Sequence, residues 1–237
     1  MADLVYPPVI ALAKTMFRLL NMRITVEGAE HVPTTGGAVI ACNHVSYLDF
    51  IFCGLGANRS KRLVRFMAKD SIFRHRIGGP LMRGMKHIPV DRDAGMASYK
   101  SALENLKAGE VVGVFPEATI SQSFTVKDMK SGAARLAAAT GTPLVPMVLW
   151  GTQRFWTKGH PKDLTQRGVP ITIIAGEPLH PTRKDNADAV TAELRTRMTA
   201  MLDRAQREYR DRPEGVFWQP AHLGGTAPTP ESLLAAD

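Results

Sequence analysis

Cysteine is nearly missing from this chain: Cys42 and Cys53 are the only two among 237 residues, and both lie inside apolar runs. Two cysteines exclude a disulfide framework, and free cysteines in such runs behave as small core residues, so the cytosolic side of a membrane fits. Aromatic residues are sparse too, with four Tyr and three Trp, and no RNA- or DNA-binding signature accompanies them. Nucleic acid is therefore not the expected partner. Long apolar stretches are also lacking. Lys14 and Arg18 interrupt the N-terminal one, which falls short of the ~18–20 residues that a membrane span requires. Asp3, with no basic residue beside it, argues against a signal peptide. Finally, acids are scarce in one region. Between Arg59 and Arg92 stand ten of the 30 Lys and Arg but only Asp70 and Asp91 of the 22 acids, so that stretch alone accounts for the formal net charge of +8. Such a concentration points to an anionic partner: a phospholipid surface, a phosphorylated substrate or a nucleic acid, the last without other support.

What is present reads as alternating strands and helices. Pro7 and Pro8 suit the first turn of a helix in which Val9, Leu12, Ala13, Met16, Phe17 and Leu20 form one apolar stripe, with Lys14, Thr15, Arg18 and Asn21 opposite. That helix either packs on the protein's own core or lies in a membrane interface with Lys14 and Arg18 towards the headgroups. Strands are expected at Arg23–Gly28, Ala38–Cys42, Leu63–Ala68, His87–Val90, Val111–Phe115, Leu144–Trp150 and Val169–Ala175. Helices are expected after Leu48, in short pieces near Ser71–Arg76 and Gly79–Gly84, from an Asp93 cap to about Lys107, over Ser131–Ala139, and from about Asn186 to Tyr209. No Ser/Gly/Pro-rich linker divides the middle, so one α/β domain is expected, its mixed, largely parallel sheet covered by helices on both faces. From Pro213 onward Pro, Gly and Ala dominate, and a poorly ordered or surface-hugging tail is expected.

The strand Ala38–Cys42 runs into Asn43-His44-Val45-Ser46-Tyr47-Leu48-Asp49, at the start of a helix. Ser46-x-x-Asp49 has the form of a capping box, in which Ser46 satisfies first-turn backbone N–H groups. Capping leaves His44 unexplained. An imidazole near neutral pH, with a carboxylate five positions on to hold its second nitrogen, makes a general base; the alternative is a structural histidine with satisfied hydrogen bonds. His-x4-Asp alone is a poor metal signature, and no metal is expected. Three later stretches also end strands: Gly84-Met85-Lys86-His87-Ile88-Pro89-Val90-Asp91-Arg92, Val114-Phe115-Pro116-Glu117-Ala118-Thr119-Ile120-Ser121, and Leu144-Val145-Pro146-Met147-Val148.

Together, in this order and over about residues 38–150, these four blocks resemble those of the glycerolipid acyltransferases, the 1-acylglycerol-3-phosphate O-acyltransferase family. The resemblance implies O-acyl transfer from an acyl thioester, acyl-CoA or an acyl carrier protein, to the free hydroxyl of a lysophospholipid such as lysophosphatidic acid. His44 would deprotonate that hydroxyl and Asp49 would orient the ring, with no acyl-enzyme and no cofactor beyond the co-substrate. Asn43, Ser46, Arg92, Glu117 and Thr119 would contact substrate, with Arg92 on the acceptor phosphate. Residues 1–22 would then be a membrane-docking helix, 23–210 the acyltransferase domain and 211–237 an irregular tail. The protein would sit peripherally on an anionic membrane, at the cytoplasmic face. The third block departs from the family's Phe-Pro-Glu-Gly-Thr-Arg-Ser in two places. Ala118 replaces the glycine, which asks this turn to avoid positive φ, and Ile120 replaces the arginine. Lys130, at the head of the following helix, is the first candidate to supply the missing cation.

Overall fold

The computed structural model describes residues 3–91 and 95–235. Seven strands form one sheet in the order β1-β7-β6-β2-β5-β3-β4. They are β1 (Arg23–Glu27), β2 (Ala38–Cys42), β3 (Val64–Lys69), β4 (Ile88–Val90), β5 (Val111–Val114), β6 (Leu144–Trp150) and β7 (Pro170–Ala175). All neighbours run parallel except β6 and β7, which are antiparallel. The continuous apolar run Ala38–Cys42 is thereby explained. It is the central strand, with Val39 and Ala41 in the core on one face and Ala38, Ile40 and Cys42 in the core on the other.

On the first face lie α5 (Gly95–Lys107), α6 (Gly132–Thr140) and α7 (Ala187–Arg207). Asn186 caps α7 by accepting from the Asp188 and Ala189 N–H groups. On the second lie α1 (Tyr6–Leu19) and α2 (Asp49–Asn58). In α2, Gly56 permits close approach to the sheet, since a Cβ there would stand 2.8 Å from an Ile173 methyl. Two short helices, α3 (Asp70–Phe73) and α4 (Gly78–Gly84), fill the crossing from β3 to β4. The expected Asp93 cap of α5 lies outside the described residues.

The amphipathic stripe of α1 is divided by the fold. Phe17 stacks on Phe52 at 5.0 Å and the Tyr6 hydroxyl donates to the Val64 carbonyl, while Leu12, Met16 and Leu19 remain exposed. Lys14, expected on the polar face, instead turns to α2 and donates to the Asn58 side chain at 2.8 Å. The correction has a simple cause. The helix buries Tyr6 and Phe17 and half-buries Ala13, because Phe17 seats on Phe52 of α2 while Tyr6 reaches the Val64 carbonyl. After α7 the chain lies against the domain through buried Trp218, Gln219 and Ala227, and ends with the short α8 (Pro230–Leu234).

Candidate active site

In a parallel sheet, loops at the carboxyl ends of neighbouring strands converge. Here β2 is flanked by β5 and β6, so the chain leaving β2 is gripped from both sides. On the β6 side, Asn43 imitates a further strand residue. Its side-chain amide donates to the Leu149 carbonyl at 3.1 Å and its oxygen accepts from the Leu149 N–H at 2.7 Å. The residue is fully buried, so Asn43, expected at the substrate, positions the motif in this structure. On the β5 side, His44 donates its backbone N–H to Glu117 Oε1 (2.9 Å) and accepts from the Ser121 N–H (2.7 Å). With its backbone held at both ends, His44 lays its ring on Phe115, centroids 4.5 Å apart, and leaves its side chain 21% exposed.

Asp49 is the hub. Its Oδ2 accepts from His44 Nδ1 at 3.0 Å and from the Val45 and Ser46 N–H groups, both at 2.7 Å; its Oδ1 accepts from the Thr152 hydroxyl at 2.6 Å. With the Val45 and Ser46 N–H groups and the Thr152 hydroxyl already donating to its two oxygens, this side chain, which has no exposure, faces Nδ1 as an acceptor. The ring hydrogen therefore sits on Nδ1, and Nε2 presents a lone pair outward. Half of the expected capping box is present. Asp49 returns a bond to the Ser46 N–H, but Ser46 Oγ accepts from Leu48 N (3.1 Å) and donates to the Trp156 carbonyl (2.7 Å). Ser46 is fully buried and spends its hydroxyl on the chain itself.

Glu117 has a similar fate. Its two oxygens accept from the His44 and Lys127 N–H groups (2.9 and 3.0 Å), which ties the motif to the loop after β5. Burial pushes its carboxyl up to about 7, outweighing those hydrogen bonds. Ala118 sits at φ +60°, contrary to the sequence expectation. The turn keeps the left-handed geometry that glycine adopts freely, and alanine bears it at a small strain. Ile120 is buried, so that position presents no charge to the site. Lys130 is exposed, whereas Lys127 places its ammonium 2.5 Å from the hydroxyl of exposed Thr119. Arg92 lies outside the described residues. Cys42 is fully buried and burial holds its thiol well above the ordinary range, the opposite of an activated nucleophile. Among the described residues no group of three or more His, Cys, Asp or Glu could hold a metal ion.

The sequence reading passed over Phe115, Lys127 and the whole loop after β6. That loop supplies Thr152 to Asp49, the Trp156 carbonyl to Ser46 Oγ and the Tyr47 N–H, and the Thr157 hydroxyl to the Val45 carbonyl. One signal was available: like the motif, Gly151-Thr152 follows directly on a buried apolar strand.

The geometry agrees with what the chain is similar to. A family model described as Acyltransferase matches residues 23–150. A 1-acyl-sn-glycerol-3-phosphate acyltransferase of Bacillus subtilis (strain 168) is 32% identical over 197 residues, 82% of this chain and 92% of that protein. A chloroplastic enzyme of the same name from Arabidopsis thaliana is 32% identical over 185 residues, 76% of this chain and 49% of its own length. Among solved structures, the 1-acyl-sn-glycerophosphate (LPA) acyltransferase of Thermotoga maritima shares the fold, with a TM-score of 0.72 at 21% identity over 86% of this chain and 81% of that one. A buried carboxylate aiming a histidine outward from the central strand, and sequence relatives of this kind, lead to one conclusion: the chain belongs to the acyltransferase family.

Proposed function

We propose that this protein transfers a fatty acyl group from acyl-CoA to the free hydroxyl of lysophosphatidic acid, giving phosphatidic acid. The observation that carries the reading is the His44 Nδ1–Asp49 Oδ2 contact at 3.0 Å, in a histidine whose side chain keeps 21% of its surface exposed. His44 Nε2 takes the proton of the acceptor hydroxyl as its oxygen attacks the thioester carbonyl, and Asp49 stabilises the imidazolium that forms. Collapse of the tetrahedral intermediate breaks the C–S bond, and the departing sulfur receives the proton from His44. Backbone N–H groups beside the motif would hold the developing oxyanion. The names of the relatives support the acceptor.

The phosphate of the acceptor is assigned to Lys127, with Thr119 beside it, rather than to Lys130. Glu117 joins the Lys127 and His44 backbones through one carboxylate, which ties the segment bearing that ammonium to the motif. Arg92 retains its proposed phosphate role. The protein docks on an anionic membrane surface at the cytoplasmic face through the exposed Leu12, Met16 and Leu19 of α1 and through Tyr47 and Trp156, an exposed aromatic pair 4.7 Å apart beside the motif. No helix among the described residues is long and apolar enough to cross a membrane. One observation favours a second reading, in which the acceptor is another lysophospholipid, glycerol 3-phosphate or a glycolipid: the buried Ile120 removes a cation from the third block.

The test is thiol release from palmitoyl-CoA by purified protein, with and without lysophosphatidic acid, beside His44→Ala. Acceptor-dependent release that the variant loses establishes the reading. Release only with a different lysolipid selects the second acceptor, and release indifferent to any acceptor rejects acyl transfer in favour of thioester hydrolysis.

A further inference from the structure

The loop after β6 holds a residue that the acyltransferase blocks do not contain. Thr152 follows Gly151, whose φ of +102° and lack of a side chain are both required, because a Cβ there would stand 2.2 Å from the Pro170 carbonyl oxygen. Gln153 locks the turn from the other side. It accepts from the Gly151 N–H at 2.8 Å and donates to the Trp218 carbonyl at 3.2 Å, and it is fully buried. Between these two residues Thr152, also fully buried, donates its hydroxyl to Asp49 Oδ1 at 2.6 Å.

The two oxygens of Asp49 are served unequally. Oδ2 has His44 and two backbone N–H donors, whereas Thr152 provides the hydrogen bond recorded for Oδ1. A carboxylate held on one oxygen can turn about its Cβ–Cγ bond; held on both, its plane is fixed. A fixed plane keeps the Oδ2 lone pair on the Nδ1–H axis, and so aims Nε2. Resting on the general-base reading given above, we infer that Thr152 is a positioning residue for catalysis, acting on the histidine through the aspartate. It contacts no substrate. It sets the angle from which the imidazole meets the acceptor hydroxyl.

Thr152→Val keeps the shape and deletes the donor; Thr152→Ser keeps the donor. Thiol release with saturating acyl-CoA and varied lysophosphatidic acid should show kcat of the Val variant down roughly 10- to 100-fold with KM changed less than about twofold. The Ser variant should return to within a fewfold of wild type. The further readout is the double variant. On top of His44→Ala, Thr152→Val should lower the residual rate no further, since a residue acting through His44 has nothing left to aim. Equal loss in the Val and Ser variants, or an undiminished effect of Thr152→Val in the His44→Ala background, would mean a merely structural part and overturn the inference. Wild-type kcat in Thr152→Val overturns it as well while leaving the general base standing. If His44→Ala alone retains full turnover, the underlying reading fails, and the inference falls with it.

Discussion

The two edges of the sheet treat buried charge differently. At the carboxyl edge Asp49 is surrounded by dipoles, two backbone N–H groups and a hydroxyl, plus one histidine that faces solvent. Near the opposite edge Arg65, 1% exposed, is met by full charges. Its Nη2 lies 2.9 Å from Asp3 and 3.2 Å from Glu110, while Nη1 donates to the Met85 carbonyl. Desolvation pulls the Arg65 pKa down, but the bonds to Asp3 and Glu110 outweigh it and leave it raised; Asp3 is correspondingly held low. A charge neutralised by its opposite is shut away and serves cohesion. A charge solvated by fixed dipoles stays negative without being spent, and can act on a neighbour that reaches the substrate. The lesson is that burial alone does not mark a catalytic charge; contact with a side chain that reaches the substrate does.

Substitutions at the two edges should therefore separate rate from stability. The largest effect is expected for His44→Ala, which should lower kcat about 10³-fold or more in the thiol-release assay with little change in Tm. Loss of Tm in step with activity would erase the distinction.

Next comes Glu117, a second buried carboxyl at the carboxyl edge. Its folded pKa of about 7 lies above the ordinary value of 4.5. The folded state thus keeps an extra proton in that interval, and the stability linked to it is full below about 4.5 and lost as pH rises through 7. Glu117→Gln should gain on wild type by about 3 kcal/mol between pH 4.5 and pH 8, read as a Tm difference that moves in the variant's favour. A difference that stays constant with pH would show the carboxyl to be ionised throughout.

Arg65→Ala should cost about 2–3 kcal/mol in denaturant unfolding, less than for a fully enclosed pair because Asp3 and Glu110 keep part of their water. Its kcat per folded molecule should match wild type, and a selective fall in kcat would join the two edges. A smaller effect is expected of Lys127→Ala, which should raise KM for lysophosphatidic acid about tenfold and spare kcat. Lys130→Ala should do less. The reverse ranking would return the phosphate to the head of α6.

Much of this was legible in the chain. Leu144–Trp150 is bounded in the structure as its apolar run is bounded in the sequence, and Gly141 ends α6 at φ +66° as a stop signal should. The His-x4-Asp spacing announced a pair that does meet. Other features were illegible for physical reasons. Which polar atoms of Asn43, Ser46 and Glu117 remain free depends largely on partners more than 70 residues away, and local pattern carries no trace of those partners. Lys14 was misassigned because an apolar count weighs residues singly, whereas the helix turned to seat Phe17 on Phe52. Ala118 shows that a missing glycine does not prove a missing left-handed turn.

The sequence by itself determined the alternation of strands and helices, the basic stretch Arg59–Arg92, and the placing of His44 and Asp49 one short loop apart, since these follow from local periodicity and spacing. Tertiary structure alone decided that β5 and β6 flank β2, and so brought Phe115 under the imidazole, Glu117 to its backbone and Thr152 to the aspartate. Strand order is settled by how whole faces bury against helices, a property of the assembled sheet that no single segment contains.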